Sequence, residues 1–226
     1  MGGHRLEVLD DADAVHRRGA ELIAEAAREA ISDRGHCALA VSGGSDPWPM
    51  FSQLEEFELD WTEIEVFQVD ERVAPPGSDE RNLTHLVESL SIGAQGSIRP
   101  MPVTDDDLEA AADRYAALLP DDGLDLAHLG IGPDGHTASL VPGDPVLEVT
   151  DKRVAVTAGE YQGVRRMTLT YPEIERARKL LWVVTGEEKV DALKKLIDQD
   201  PSTPSGRVRP GGDSLILADR AAAPDA

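Results

Sequence analysis

Apolar runs that are typical of buried strands alternate with helical patterns along this chain of 226 residues. The longest helical pattern covers residues 13–34, where Val15, Leu22, Ile23 and Ala26 fall on one face of a helix. Strands that alternate with helices favour a sheet of parallel strands joined by crossover helices. We therefore predict an α/β fold, a three-layer α/β/α sandwich with a Rossmann-like, mainly parallel sheet.

The predicted elements extend along the whole chain. Strands are expected at Cys37–Val41, 64–69, 124–131, 153–156, Arg166–Leu169, 180–184 and 214–218. Helices are expected at 13–34, 47–54, 82–90, 104–118, 172–177 and 187–197, with Thr104 as the N-cap of the fourth. A loop is expected at 201–212 and a frayed tail at 221–226. Because no repeat and no long interior linker divides the chain, residues 1–226 are interpreted as a single domain.

Composition excludes several classes of partner. The chain is 41% hydrophobic, but no apolar run approaches the ~18 residues of a membrane span. A formal net charge of −21 argues against nucleic acid and anionic membranes as partners, and it requires any anion site to be locally basic. Cys37 is the single cysteine, which excludes an intrachain disulfide and a multi-cysteine metal site. We therefore expect a cytoplasmic protein.

The most informative segment covers residues 129–140 and has the sequence Leu-Gly-Ile-Gly-Pro-Asp-Gly-His-Thr-Ala-Ser-Leu. It follows a predicted strand, and its glycines allow the backbone to approach a ligand closely. Ligands of open α/β sheets bind at the carboxyl ends of the strands. His136 is therefore the candidate general base, since histidine exchanges a proton near neutral pH. A histidine with a structural role only is the plainer alternative.

The same segment contains a Gly-x-Gly-x-x-Gly pattern that ends at Gly135 and also occurs in dinucleotide-binding folds. That use requires the last glycine to open a full crossover helix. Pro142, Gly143 and Pro145 interrupt the chain within ten residues of Gly135, which leaves room for one or two turns. We therefore expect no nicotinamide or flavin cofactor.

Three further clusters lie at the ends of predicted strands. The first lies between a strand and a helix and consists of Ser42, Gly43, Gly44 and Ser45. Exposed backbone amides at such a place form either a phosphate-binding loop or an ordinary turn. Arg72 ends the sequence Asp-Glu-Arg and would bind phosphate oxygens, or pair with a neighbouring acid at the surface. Arg166 follows Arg165 at a strand, where the pair would hold an anion or protect a strand edge from aggregation.

In these motifs and their order the chain resembles the 6-phosphogluconolactonase family over nearly its whole length. The Gly-Pro-Asp-Gly-His-Thr-Ala-Ser run is the most specific of the shared motifs. The residues that carry the resemblance lie at 39–45, Asp70–Arg72, 132–140, 166–170, 184–189 and 218–222.

The resemblance implies a hydrolase of the oxidative pentose phosphate pathway that needs no metal and no cofactor. Such an enzyme opens 6-phospho-D-glucono-1,5-lactone to 6-phospho-D-gluconate. By resemblance, His136 takes a proton from water and Asp134 orients the loop, while Arg72, Arg166 and the amides of residues 42–45 hold the phosphate. The implied partner is a phosphorylated sugar lactone, the implied assembly a monomer or small homo-oligomer. The implied sheet is of the glucosamine-6-phosphate deaminase/ribose-5-phosphate isomerase-like type.

The chain departs from the family pattern at two places, both on the phosphate side. Asp46 stands where the family has threonine, which brings a carboxylate near the expected phosphate. Residues 159–164 replace a lysine-and-proline segment that commonly precedes the Arg-x-Thr strand. Both changes leave the histidine side of the expected site intact.

Two alternatives stay open. A glucosamine-6-phosphate deaminase is similar in fold and in its Asp-Gly-His loop. That enzyme, however, follows the histidine with Asn-Glu-Pro-Gly and has tyrosine where this chain has Arg72. The second alternative is a non-catalytic sugar-phosphate-binding relative, which would bind its ligand without turnover.

Overall fold

The computed structural model describes residues 3–44, 47–90 and 92–224, in which ten strands and eight α-helices occur. The strands are β1 (Arg5–Leu9), β2 (Cys37–Val41), β3 (Ile64–Gln68), β4 (Asp70–Arg72), β5 (Ile98–Arg99), β6 (Leu126–Leu129), β7 (Val154–Val156), β8 (Arg166–Leu169), β9 (Lys179–Val184) and β10 (Asp213–Asp219). The helices are α1 (Ala12–Arg34), α2 (Pro47–Ser52), α3 (Asn82–Ser89), α4 (Ile92–Gln95), α5 (Leu108–Ala116), α6 (Tyr171–Glu175), α7 (Val190–Ile197) and α8 (Pro204–Arg207). Short 3₁₀ turns cover Gln53–Glu56, Trp61–Glu63, Pro145–Glu148 and Glu187–Lys189.

Seven strands of the described chain form one parallel sheet in the order β1-β10-β9-β6-β2-β3-β5. From β2 the chain adds β3 and β5 on one side, and then β6, β9 and β10 on the other. The direction of winding therefore reverses between β2 and β6. In open α/β sheets such a switch point opens a crevice at the carboxyl ends of the two strands.

Helices cover both faces of this sheet. Alternate residues of a strand point to opposite faces, and in β2 Cys37 and Leu39 pack with α1, α2 and α3, while Ala38 and Ala40 pack with α5, α6 and α7. Each face thus has its own hydrophobic core. The predicted three-layer α/β/α sandwich with a mainly parallel sheet is confirmed.

A second, antiparallel sheet of β4, β8 and β7 lies over one of these cores. The chain leaves β3 after Gln68 and pairs again from Asp70, so the strand predicted at 64–69 is followed directly by a strand of another sheet. In this second sheet Asp70 is opposite Thr168 and Arg72 is opposite Arg166. The small sheet therefore brings two of the predicted site clusters side by side.

Several predicted boundaries were wrong. Thr104 does not cap a helix: α5 begins at Leu108, where Oδ1 of Asp107 accepts the amide of Ala110 at 3.0 Å. The strand predicted at 124–131 is paired only over Leu126–Leu129, because the chain turns into the glycine loop. The loop predicted at 201–212 contains α8, which Thr203 caps. Sequence patterns also missed β1 and β5.

The packed part of the chain continues past the start of the tail predicted at 221–226. Ala222 is fully buried, and its amide donates to Oδ1 of Asp219 at 2.8 Å. Residues 225 and 226 lie outside the described residues. No helix in residues 3–44, 47–90 and 92–224 combines the length and apolar character needed to cross a membrane. The single-domain interpretation of residues 1–226 stays a prediction.

Candidate functional site

A cavity of about 240 Å³ lies at the carboxyl ends of β2, β3, β6 and β9, at the switch point of the sheet. We call it the site cavity. The predicted site residues that line it are Ser42, Gly43, Gly44, Arg72, His136 and Arg166. Asp134 lies behind His136, and Ser45 and Asp46 lie outside the described residues. Segments that are far apart in the sequence thus meet in one crevice.

The loop after β6 holds His136 in a tight turn. The amide of Gly135 donates to the carbonyl of Gly132, and the amide of Gly132 donates to the carbonyl of His136, both at 2.9 Å. A Cβ at Gly132 would overlap the imidazole of His136 and lie 2.7 Å from Oδ1 of Asp134. Within residues 130–144, all of which are described, no helix follows Gly135. The glycines therefore allow the histidine to fold back over the backbone, and they do not open a dinucleotide-binding helix.

His136, Asp134 and Tyr161 form a hydrogen-bonded group at the edge of the cavity. Nδ1 of His136 lies 2.6 Å from Oδ1 of Asp134, and Oη of Tyr161 donates to Oδ2 of Asp134 at 2.9 Å. Partial burial opposes ionisation of Asp134, but the hydrogen bonds and the charge of His136 outweigh it, so the pKa of Asp134 lies below its ordinary value. Because Asp134 engages Nδ1, Nε2 is the ring nitrogen left for a water molecule.

Arg72 and Arg166 stand side by side on β4 and β8. Arg72 donates to the carbonyl of Glu80 at 2.8 Å and to Oδ1 of Asn82 at 2.9 Å, both neutral acceptors. Arg166 is 3% exposed, and its Nη2 donates to Oε1 of Gln162 at 3.0 Å. Among the described residues its Nε has no hydrogen-bond partner. Two guanidinium groups with donors to spare suit an anion with several oxygens.

The segment after β2 reaches the cavity, but one of its amides is already engaged. The amide of Ser42 lies 3.2 Å from the carbonyl and 3.3 Å from Nδ1 of His128, so it bonds to the neighbouring strand. The hydroxyl of Ser42 is buried without a partner in the described part of the chain. A Cβ at Gly43 would overlap the side chain of Asn82, which explains the glycine there. The hydroxyl of Ser42 and the backbone of Gly43 and Gly44 therefore remain for a ligand.

Sequence reasoning missed several residues that line the cavity, namely Asp70, Asn82, Gln162 and Lys189, and also Tyr161 at its edge. Asp70 is buried and accepts the hydroxyl of Ser139 at 2.6 Å. Burial raises the pKa of Asp70, while the bond from Ser139 and the charge of Arg166 oppose this effect. Lys189 ends the Thr-Gly-Glu-Glu-Lys sequence after β9, which was a visible signal.

The cavity is locally basic although the chain carries a net charge of −21. Among the described residues, three cationic side chains, Arg72, Arg166 and Lys189, line it together with the carboxylate of Asp70. A second cavity of about 420 Å³ shares both arginines and extends toward Trp48 and His85. Within the described residues, no group of three or more His, Cys, Asp or Glu is arranged to hold a metal ion. The arrangement suits a phosphorylated organic ligand with a reactive carbon near His136.

Comparison with protein families gives a match over most of the chain. The model of the family described as glucosamine-6-phosphate isomerases/6-phosphogluconolactonase matches residues 10–217. A 6-phosphogluconolactonase of Nostoc sp. is 35% identical, over 96% of this chain and 96% of the relative. One from Mycobacterium tuberculosis is 32% identical over the same shares.

Solved structures show the same fold. A 6-phosphogluconolactonase from Shewanella baltica superposes with a TM-score of 0.86 at 25% identity, covering 96% of this chain and all of that one. A monomeric glucosamine-6-phosphate deaminase superposes with a TM-score of 0.84 at 19% identity, covering 96% and 98%. The fold therefore does not distinguish a lactonase from a deaminase. That distinction depends on the sequence relatives and on the residues of the site.

Proposed function

The chain belongs to the glucosamine-6-phosphate isomerase/6-phosphogluconolactonase family, and we propose that it hydrolyses 6-phospho-D-glucono-1,5-lactone to 6-phospho-D-gluconate. This reaction is a step of the oxidative pentose phosphate pathway. The observation that carries the proposal is the pairing of His136 with Asp134 at the edge of a cavity lined by three cationic side chains. The curated relatives at 32–35% identity, which are named 6-phosphogluconolactonases, support it.

In the proposed mechanism, Nε2 of His136 takes a proton from water while the water oxygen attacks the lactone carbonyl carbon. Asp134 fixes the ring through Nδ1 and stabilises the imidazolium that forms. The tetrahedral intermediate then expels the ring oxygen, which receives a proton from the imidazolium. The carbon–oxygen bond of the ring is broken, and water has supplied one oxygen and two hydrogens. No step requires a cofactor.

Arg72, Arg166 and Lys189 would hold the phosphate, with the hydroxyl of Ser42 and the backbone of Gly43 and Gly44 as further contacts. Each guanidinium group can donate to two phosphate oxygens at once. The two adjacent arginines would therefore orient the phosphate as well as neutralise its charge. Holding the phosphate at one end of the cavity places the lactone ring toward His136. Positioning matters here because the lactone also hydrolyses without an enzyme.

The deaminase alternative is disfavoured by the residues after His136. Ser139 is buried and donates to Asp70, and the following residues Leu140 and Val141 are buried and apolar. No acid stands in this segment to support the histidine as a deaminase requires. The expected oligomeric state, a monomer or small homo-oligomer, and the cytoplasmic location stay predictions.

The test measures acid release from freshly prepared 6-phosphogluconolactone. We expect the purified protein to accelerate release well above the uncatalysed rate, with and without a chelator. A wild-type rate equal to the uncatalysed one would refute the lactonase proposal, and loss of activity on chelation would refute the metal-free mechanism. Ammonia release from glucosamine 6-phosphate would instead identify a deaminase. Product binding without turnover would identify a non-catalytic relative.

A further inference from the structure

Tyr161 lies in a tight hairpin within residues 159–164, the segment that departs from the family pattern. Its amide donates to the carbonyl of Val164 at 3.0 Å. The two residues between them have positive φ angles, 53° at Gln162 and 86° at Gly163, which is the pattern of a type I′ turn. Upstream, Oδ2 of Asp144 accepts the amide of Gly159 at 2.9 Å. The backbone therefore fixes the direction in which Tyr161 leaves the turn.

The hydroxyl of Tyr161 contacts both members of the proposed base. It donates to Oδ2 of Asp134 at 2.9 Å and lies 3.2 Å from Nδ1 of His136. Burial and the neighbouring charge of Asp134 raise the pKa of Tyr161 to about 12, so the hydroxyl keeps its proton and donates. Both carboxylate oxygens of Asp134 thus have a partner, and the carboxylate cannot rotate away from the imidazole without losing one.

The aromatic ring of Tyr161 contacts the phosphate side of the site. The guanidinium of Arg166 lies over the ring, with Cζ 5.0 Å from its centroid, in a cation–π arrangement. Nη2 of Arg166 also lies 3.4 Å from the carbonyl of Tyr161. The imidazole of His136 meets the same ring edge-on, at 5.1 Å between centroids. One side chain therefore touches the base, its carboxylate and an arginine of the anion site.

We propose that Tyr161 is a positioning residue for lactone hydrolysis, which orients His136 through Asp134 by its hydroxyl and holds Arg166 by its ring. The inference rests on the proposed function. The segment at 159–164 can then contribute to the anion site without a cationic side chain of its own. The ring of Tyr161 holds the guanidinium of Arg166, which belongs to β8. One aromatic side chain then contacts both the proposed base and an arginine of the anion site and helps to hold them at a fixed spacing.

Two substitutions separate the roles of hydroxyl and ring. Tyr161→Phe removes the hydroxyl and keeps the ring, so kcat should fall by about tenfold while KM changes by less than about twofold. Tyr161→Leu removes both, so KM and the Kd for 6-phosphogluconate should also rise by about fivefold. Because Tyr161 acts through Asp134, Tyr161→Phe should change kcat by less than about twofold in an Asp134→Asn background.

Tyr171 supplies a matched control. Its hydroxyl donates to the carbonyl of Pro204 at 2.8 Å, and the guanidinium of Arg207 lies 5.2 Å from its ring centroid. Tyr171→Phe therefore removes the same kind of hydroxyl outside the site cavity, and kcat and KM should stay at wild-type values.

An unchanged kcat in Tyr161→Phe, or an equal loss with and without Asp134, would overturn the inference for the hydroxyl. Unchanged product affinity in Tyr161→Leu would overturn it for the ring. A wild-type protein without lactonase activity would overturn the proposed function itself, and the inference with it.

Discussion

Gly132 contributes to the site because it has no side chain. The imidazole of His136 and the carboxylate of Asp134 occupy the space that a Cβ at this position would need. The amide of Gly132 also donates to the carbonyl of His136, so the backbone at this position cannot move away without breaking the turn. The position of the proposed base is therefore specified by packing against a glycine.

Gly132→Ala should displace His136 and lower kcat by about 100-fold, since misplacement of a catalytic group by about 1 Å has effects of this size. Measuring kcat for lactone hydrolysis alongside thermal stability tests this. Gly96→Ala, outside the site cavity, is the control, because no atom lies within 4 Å of the Cβ that it would add. Equal losses in the two variants would contradict the steric explanation.

Part of the site could be predicted residue by residue. His136, Asp134, Arg72 and Arg166 belong to motifs, and the structure brings them to one cavity or directly behind it. Tyr161 could not be predicted, because its contacts depend on a turn that folds it onto a loop about 25 residues earlier in the chain. Which amide of residues 42–44 is free to bind a ligand also depends on the neighbouring strand, to which the amide of Ser42 bonds.

At the scale of elements, the N-terminus of helix α3 is capped by a side chain of strand β4. Glu71 of β4 is fully buried and accepts the amides of Asn82 at 2.8 Å and Leu83 at 2.9 Å. It also lies 3.3 Å from Nε of Arg81, which is itself buried. One carboxylate thus caps α3, neutralises Arg81 and fixes Asn82, whose side chain contacts Arg72.

Glu71→Gln should therefore lower the free energy of unfolding by about 3 kcal/mol, because it leaves a buried arginine without its counter-charge. Denaturant unfolding of both proteins measures the difference. In contrast, Glu65→Gln breaks a half-exposed pair with Arg99, at 2.9 Å, and should cost less than about 1 kcal/mol. A cost for Glu71→Gln as small as that for Glu65→Gln would show that the buried pair does not stabilise the fold.

Elements with a clear local apolar pattern could be predicted, and elements without one could not. Strand β2 was predicted to the residue, because it is a continuous apolar run bounded by glycines and polar residues. Strand β1 was missed because apolar and charged residues alternate in its sequence, Arg-Leu-Glu-Val-Leu. It lies at a sheet edge, where Leu6 and Val8 remain exposed. The pairing of β4 with β8 joins distant segments, and the register that aligns Arg72 with Arg166 is not encoded by spacing.

At the scale of the whole molecule, a buried histidine links stability to pH. His128 on β6 is 1% exposed, and burial, with a smaller effect of His16, lowers the pKa of His128 to about 3. Between that value and the ordinary pKa of about 6.5, the unfolded chain binds a proton at this residue and the folded chain does not. Stability therefore rises with pH across this window and is lost as the pH falls below about 6.5.

His128 alone should contribute a slope of about 1.4 kcal/mol per pH unit between pH 6 and pH 4. His128→Gln removes the titrating group, so the free energy of unfolding should depend less steeply on pH, by about that amount. Denaturant unfolding of the wild type and the variant at several pH values measures both slopes, and a slope unchanged in His128→Gln would refute this contribution.

The central claim is that His136 activates water beside an anion site that binds the phosphate independently of it. The most direct measurement compares kcat for 6-phosphogluconolactone and the Kd for 6-phosphogluconate in the wild type and in His136→Asn. The account predicts a fall in kcat of at least about 100-fold, with a change in Kd of less than about twofold. A His136→Asn variant that hydrolyses the lactone at close to the wild-type rate would contradict it.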